Sequence, residues 1–236
     1  MDFKNRAQNA VDEIYSRGNV PIIVGGTGFY IQALLYDIDF EEQGEDSEVR
    51  AQLQSIADEK GPEVLHDILK ELDPETAENL HPNNVKRVIR AIEFAKQTGG
   101  KISEHNTEQR QKQSVYDYKY FVLNDDRSLL YDRIDKRVDI MIDNGLVEEV
   151  RSLISMGCTK DMTSMQGIGY KQLLAYLDGS IDLEEAVRLI KRDSRHYAKR
   201  QLTWFNRESN LYWIDRREYP STDKQIEYIK RIINEH

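Results

Sequence analysis

The sequence predicts a helix-rich α/β protein, with a small parallel sheet covered by helices and interrupted by a helical insertion. Three observations carry this. About ten segments repeat apolar residues at the helical period between glycine, proline or capping residues, whereas three short runs read as strands. One of these runs, Pro21 to Val24, passes through a glycine turn into a helix, the order in which parallel sheets are built. The length of 236 residues allows one sizeable core, or a core with a smaller appended domain.

Asp2 can cap a helix to about Arg17, with Ala7, Ala10, Val11 and Ile14 on its inner face and Gly18 ending it. Pro21 to Val24 is a continuous apolar run of the buried-strand type, Gly25 to Gly28 form the turn, and Phe29 to Leu35 begin the next helix. Such a turn belongs at the carboxyl edge of a sheet, where open α/β folds bind ligands. From Asp37 the composition turns acidic and loop-like through FEEQGEDSEVR. Helices are expected at Ser47 to Lys60, Pro62 to Leu72, Pro74 to Leu80 and Asn84 to Thr98, punctuated by Gly61, Pro74, Pro82 and Gly99-Gly100. The polar stretch to about Val115 shows few strand signals and belongs to the same helical block, and Tyr118 to Leu123 is the second strand. Helices follow at Ser128 to Asn144, Leu146 to Met156, Tyr170 to Leu177 and Leu183 to Arg207. A third strand, Leu211 to Ile214, precedes a last helix from about Thr222. This divides the chain into an α/β core of residues 1–40 and 115–236, incomplete at its N-terminus, and a helical insertion domain of residues 41–114.

One cysteine, Cys158, excludes an intramolecular disulfide and a cysteine-built zinc cluster, and makes a reducing cytoplasm the expected setting. The five histidines lack ligand spacing, so no metal-binding residue is assigned. The most apolar run, Val20 to Leu35, is broken by Pro21 and three glycines, so no membrane span is expected. The net charge of −9 argues against nucleic-acid binding over the whole surface but leaves room for a local basic face.

Several features bear on chemistry. The GGTG turn brings backbone N–H groups and the Thr27 hydroxyl to a helix start, where they can meet a phosphate or simply make the turn. It is not a P-loop, because GxxxxGK followed by Ser or Thr occurs nowhere in the chain. Arg188, Lys191, Arg192, Arg195 and Lys199 share one helical face, with Val187, Ile190, Tyr197 and Trp204 opposite. From Ala186 to Arg207 seven Lys or Arg accompany one acid, Asp193; solvated faces usually mix signs, so the stripe points to a polyanion. Lys86, Arg87 and Arg90 share a face that suits an anion or an ordinary helix surface, with Val88, Ala91 and Ile92 inward. In SMQGIGYKQ, Gly167 and Gly169 permit close backbone approach beside Tyr170 and Lys171, for stacking and phosphate contact or for a structural turn. Arg133 and Arg137, one turn apart, can clamp a diphosphate or pair with Asp132, Asp135 or Asp139.

In this order, VPIIVGGTGFYIQALL, LHPNNVKRVIRAIE, RIDKRVDIMIDNGLVEEV, MQGIGYKQLLAYLDG and SRHYAKRQLTWF resemble the tRNA dimethylallyltransferase (tRNA isopentenyltransferase) family, from about Val20 to Arg207. The resemblance implies a P-loop NTPase-like parallel sheet and transfer of a dimethylallyl group from dimethylallyl diphosphate to N6 of the adenosine 3′-adjacent to the anticodon. It implies Mg²⁺ to neutralise the leaving diphosphate, and an adenosine flipped into a channel. Thr27 matches the threonine lining that channel, and Arg133 and Arg137 are the available diphosphate ligands. Arg50 matches a position that meets the tRNA. So do Lys86, Arg87 and Arg90, then Gln166, Gly167, Gly169, Tyr170 and Lys171, and then Lys199, Arg200, Gln201 and Trp204, with Arg195 on the same basic helix. The block from Asp46 to Thr98 corresponds to an insertion domain that grips the anticodon stem. In the family a P-loop that binds Mg²⁺ and an aspartate acting as general base both precede the region matched here. Neither is in this sequence, so the chain alone is expected to keep its tRNA-facing surface and to lack donor binding and base catalysis, and the strand at Val20 to have an open edge. The expected partners are the anticodon stem-loop and dimethylallyl diphosphate, with the chain a monomer. A non-catalytic tRNA-binding module and an adenylate isopentenyltransferase acting on a free nucleotide are the alternatives.

Overall fold

The computed structural model describes residues 2–38 and 47–235, so the acidic loop expected from Phe40 to Asp46 and the domain boundary near residue 41 lie outside the described residues. The chain divides into two compact units, Met1–Asp117 and Tyr118–His236.

The first unit is all helix among its described residues. Its elements are α1 (Asp2–Ser16), α2 (Gly28–Leu35), α3 (Ser47–Lys60), α4 (Pro62–Leu72), α5 (Pro74–Asn79), α6 (Val85–Thr98) and α7 (Ile102–Gln111). Helix α4 is the hub of α3 to α6 because Leu65 and Leu69, one turn apart, are both fully buried. Around them Leu53, Ala57, Ala77, Val88, Ile89, Ala91 and Ile92 close one apolar core. Pro62 and Pro74 stand in the first turns of α4 and α5, where their missing N–H is not needed, and Gly99 ends α6 at φ 71°. On α1, Val11 is buried while Ala10 is exposed, which corrects its placement on the inner face.

One expected element is missing in this unit. Residues 20–24 form no strand, and Val20, Ile22 and Val24 are 81%, 84% and 91% exposed. An extended segment becomes a strand only through a neighbour's hydrogen bonds, and no described strand lies beside it. Helix α7, in the polar stretch of the expected helical insertion, carries no apolar stripe in ISEHNTEQRQ. Its start is held from a distance instead. Asp73 is fully buried and caps α5 by accepting from Thr76 N (3.1 Å) and Thr76 Oγ1 (2.7 Å). The same carboxylate accepts from Ser103 N (3.0 Å) and Ser103 Oγ (2.8 Å) in the first turn of α7. One acid therefore satisfies amide donors of two helices.

The second unit carries β1 (Tyr120–Asn124), α8 (Arg127–Asp143), α9 (Leu146–Ser155), a 3₁₀ turn (Thr163–Gln166), α10 (Tyr170–Leu177), α11 (Leu183–Phe205), β2 (Leu211–Asp215) and α12 (Thr222–Asn234). The two strands are parallel, in register from Tyr120 opposite Leu211 to Asn124 opposite Asp215. Parallel neighbours need a crossover, here made by α8 to α11. Two strands are therefore described where three were expected, and the class is helix-rich α/β as the sequence predicts. Val138, Leu146, Val150, Met165, Leu173, Ala186 and Ile190 form the core of this unit. No helix among the described residues is long and apolar enough to cross a membrane.

Burial alone would raise the Asp73 carboxyl, but the bonds from Ser103 and Thr76 outweigh it and hold the group below the ordinary carboxylate range. A lowered folded value means the stabilisation is complete at neutral pH and is lost as pH falls through that value. Asp73→Ala is expected to cost about 2–4 kcal/mol at pH 7 in urea unfolding. The gap to wild type should narrow as the buffer is taken below the normal carboxylate range. A gap independent of pH in acid would show that the charge of Asp73 plays no part.

Candidate nucleic-acid interface

Helix α11 starts at Asp182, whose carboxylate accepts from Glu185 N at 2.8 Å, and runs for 23 residues. Ala186 and Ile190 anchor its first half in the core, and Phe205 anchors its end against the ring of Tyr120 at 6.1 Å. Tyr197, expected inward, is 40% exposed because it falls between these two anchors; the Arg200 guanidinium lies 5.7 Å from the centre of its ring.

The basic stripe is not presented whole to solvent. Arg195 binds both oxygens of Asp135 on α8, at 2.5 and 2.7 Å, and Lys191 lies 2.6 Å from Asp139 one turn further along. Arg188 pairs with Glu185 and Arg192 with Asp193. Four of the five cations on the stripe are thus matched by carboxylates within the unit, so this face is not of one sign. Periodicity placed the cations on one side of α11 but could not show that Asp135 and Asp139 of α8 face them. Lys199 is exposed and has no ion pair among the described residues, and Arg200 is exposed beside it.

The glycine-containing loop meets α11 at the same level. Gln166, Ile168, Lys171 and Gln172 form one wall of a cleft of about 290 Å³, and Asp193, His196 and Arg200 form the other. Gly169 is buried with φ at 103°, a conformation open to glycine, and a Cβ there would stand 3.8 Å from Leu146. Gln166 donates to Lys160 O, while Gly167 and Lys171 are exposed. Tyr170 packs against the core and donates to Glu149; that hydrogen bond, then burial, raises its hydroxyl above the usual range. Gln172 was not singled out from the sequence, yet its buried amide accepts from Gly169 N at 2.9 Å and donates to Asp193 at 2.8 Å. The signal available for it was its place three residues after Gly169, where a side chain can reach back to the helix's first amide. The bond from Arg192, then that from Gln172, keeps the Asp193 carboxyl below its ordinary range.

The remaining residues fall as follows. Gln201 and Trp204 are half-buried near the end of α11, and burial raises the Glu208 carboxyl just beyond it. Arg133 binds Asp125, whose side chain is buried beyond the end of β1, rather than Asp132, Asp135 or Asp139; Arg137 is exposed one turn away. In the first unit, Lys86, Arg87 and Arg90 are exposed on α6 above buried Val88, Ala91 and Ile92, as their spacing predicts. Arg50 is held by the buried carboxylate of Glu93 through two bonds of 3.0 and 2.9 Å. Thr27 is exposed at the start of α2 and makes no capping bond through its side chain.

The division between paired and unpaired cations has a measurable consequence for stability. Arg195→Ala, which strands Asp135, is expected to cost about 1 kcal/mol. Lys199→Ala should change stability by no more than about 0.5 kcal/mol. Urea unfolding of the two variants checks this, and equal costs would show that the bond between α8 and α11 contributes nothing.

Comparison with known proteins identifies the family of the chain. The family model described as IPP transferase matches residues 1–208. A tRNA dimethylallyltransferase from Lachnoclostridium phytofermentans is 54% identical over 235 residues, which is 100% of this chain and 75% of that protein. The crystal structure of the tRNA isopentenylpyrophosphate transferase from Bacillus halodurans aligns with a TM-score of 0.66 at 39% identity, over 99% of this chain and 72% of that one. A eukaryotic dimethylallyltransferase, solved acting on tRNA, aligns with a TM-score of 0.68 at 29% identity, over 90% of this chain and 55% of that one. The match runs from the first helix to beyond the end of α11, so the chain belongs to the IPP transferase family.

Proposed function

We propose that this chain serves in tRNA modification, transferring a dimethylallyl group from dimethylallyl diphosphate to N6 of the adenosine 3′-adjacent to the anticodon, with release of diphosphate. The observation that carries the reading is the 54% identity to a tRNA dimethylallyltransferase along the whole chain. The share of the work assigned to the described residues is the grip on the anticodon stem-loop. Lys171 and Arg200 line the cleft of the second unit, with Lys199 exposed next to Arg200 on α11, and Lys86, Arg87 and Arg90 lie on one face of α6 in the first. Cations held on rigid helices neutralise backbone phosphates and release their counterions, which gives affinity without reading sequence.

In the transfer, the N6 lone pair forms a bond to C1 of the donor, the C1–O bond breaks with its electrons leaving on diphosphate, and N6 gives up a proton. Arg137, with Arg133 shared with Asp125, is the proposed contact for the diphosphate, and Thr27 the proposed channel residue. Mg²⁺ is expected for this chemistry, but among the described residues no group of three or more His, Cys, Asp or Glu side chains could hold a metal ion. The proposed setting is cytoplasmic, with the chain a monomer.

Fluorescence titration with an anticodon stem-loop RNA and with free AMP tests the grip. Binding to the RNA and not to AMP is expected. Lys199→Glu combined with Arg200→Glu should weaken the RNA complex about tenfold or more and lower its salt slope by about one to two. Unchanged affinity would remove the cleft from the interface, and preference for AMP would favour a free nucleotide as substrate. Transfer is read separately, as radiolabel passing from dimethylallyl diphosphate into the RNA; a bound RNA that gains no label would confine the chain to the binding role.

A further inference from the structure

The cleft carries an acid among its cations, and Gln172 accounts for how it is tolerated. Gln172 is 5% exposed and is the third residue of α10. Its Oε1 accepts from Gly169 N at 2.9 Å, and its Nε2 donates to Asp193 Oδ2 at 2.8 Å. The other Asp193 oxygen accepts from Arg192 Nε at 2.8 Å. The amide orientation is forced: a peptide N–H demands an acceptor on one side, and a carboxylate demands a donor on the other. The two bonds join elements 21 residues apart, the glycine loop and the middle of α11. Lys171 follows that loop, while His196 and Arg200 lie one and two turns beyond Asp193.

We propose that Gln172 is a positioning residue that locks the loop of residues 166–169 onto α11, so that Lys171, His196 and Arg200 face one backbone phosphate of the tRNA while Asp193 is held away from it. This rests on the tRNA reading above and adds to it the device that sets the spacing of the phosphate contacts. The bridge to Asp193 is separable from the cap on Gly169. A glutamate at position 172 keeps an acceptor for Gly169 N, but turns a second acceptor toward Asp193.

The test uses stem-loop RNA affinity for wild type, Gln172→Glu, and Gln172→Glu combined with either Asp193→Asn or Asp193→Ala, each checked for folding by thermal unfolding. The two double variants have the wild-type net charge, and only asparagine offers an N–H to the new carboxylate. Gln172→Glu is expected to bind about tenfold more weakly, from the lost bond and the opposed charges. Adding Asp193→Asn should restore affinity to within about threefold, whereas adding Asp193→Ala should not. Equal rescue by both would reduce the effect to charge and overturn the bridge. So would undiminished binding by Gln172→Glu, failure of Asp193→Asn to rescue, or loss of folding in Gln172→Glu, since the contact with Asp193 would then hold the fold rather than position the loop for RNA. A wild-type chain that binds no stem-loop would instead reject the tRNA reading, and the proposed occupant of the cleft with it; melting temperatures alone do not confuse the two results.

Discussion

The second unit depends on the pairing of α8 with α11 through Asp135 with Arg195 and Asp139 with Lys191. Each pair sits one helical turn from the other, so a single alignment of the two helices makes both bonds. That alignment fixes the direction of α11 and consumes part of its charge. Lys199 and Arg200, which have no ion pair among the described residues, lie in the C-terminal half of the helix, and Arg200 lines the cleft together with Lys171 of α10. A uniformly charged helix would bind phosphate anywhere along its length. This one keeps the cations that lack an ion pair among the described residues close together, at Lys199 and Arg200.

The two units use buried carboxylates in the same way. Asp73 ties the start of α5 to the start of α7, Glu93 holds Arg50, and in the second unit Asp125 receives Arg133. A buried carboxylate is tolerated only when its lone pairs are filled, so each acid specifies its partners with little freedom. For Arg50 the consequence is functional. Its fork is oriented by Glu93, so any contact with RNA would be made by a guanidinium already held in place rather than by a free side chain. Arg133 is similarly constrained, whereas Arg137, the other cation proposed for diphosphate, has no ion pair among the described residues.

Residues 20–24 show the limit of a hydrophobic pattern. Val-Pro-Ile-Ile-Val has the composition of a buried parallel strand, yet its side chains are largely exposed. Apolar character states what a segment would gain by burial, not what will bury it. The glycine turn that follows is nevertheless open: a Cβ at Gly25 would meet nothing within 4 Å, and Thr27 stands exposed at the start of α2.

The sequence by itself determined the helices whose information is local. Pro62, Pro74, Gly99 and Gly145 mark ends within a residue or two of where they fall, and Leu65, Leu69, Val88 and Ile92 announce the buried faces. It also determined the family, because five motifs in register are legible without coordinates. Tertiary structure decided whatever depends on a partner distant in the chain. Helix α7 takes two of its bonds from Asp73, 30 residues earlier, and the cations at Arg195 and Lys191 are neutralised by acids 60 and 52 residues away. Gln172 reads as an ordinary polar residue of a helix start until Asp193 is seen to face it. Helical periodicity sorts residues onto faces, but only packing decides which two faces meet, and charge and hydrogen bonding act at the meeting.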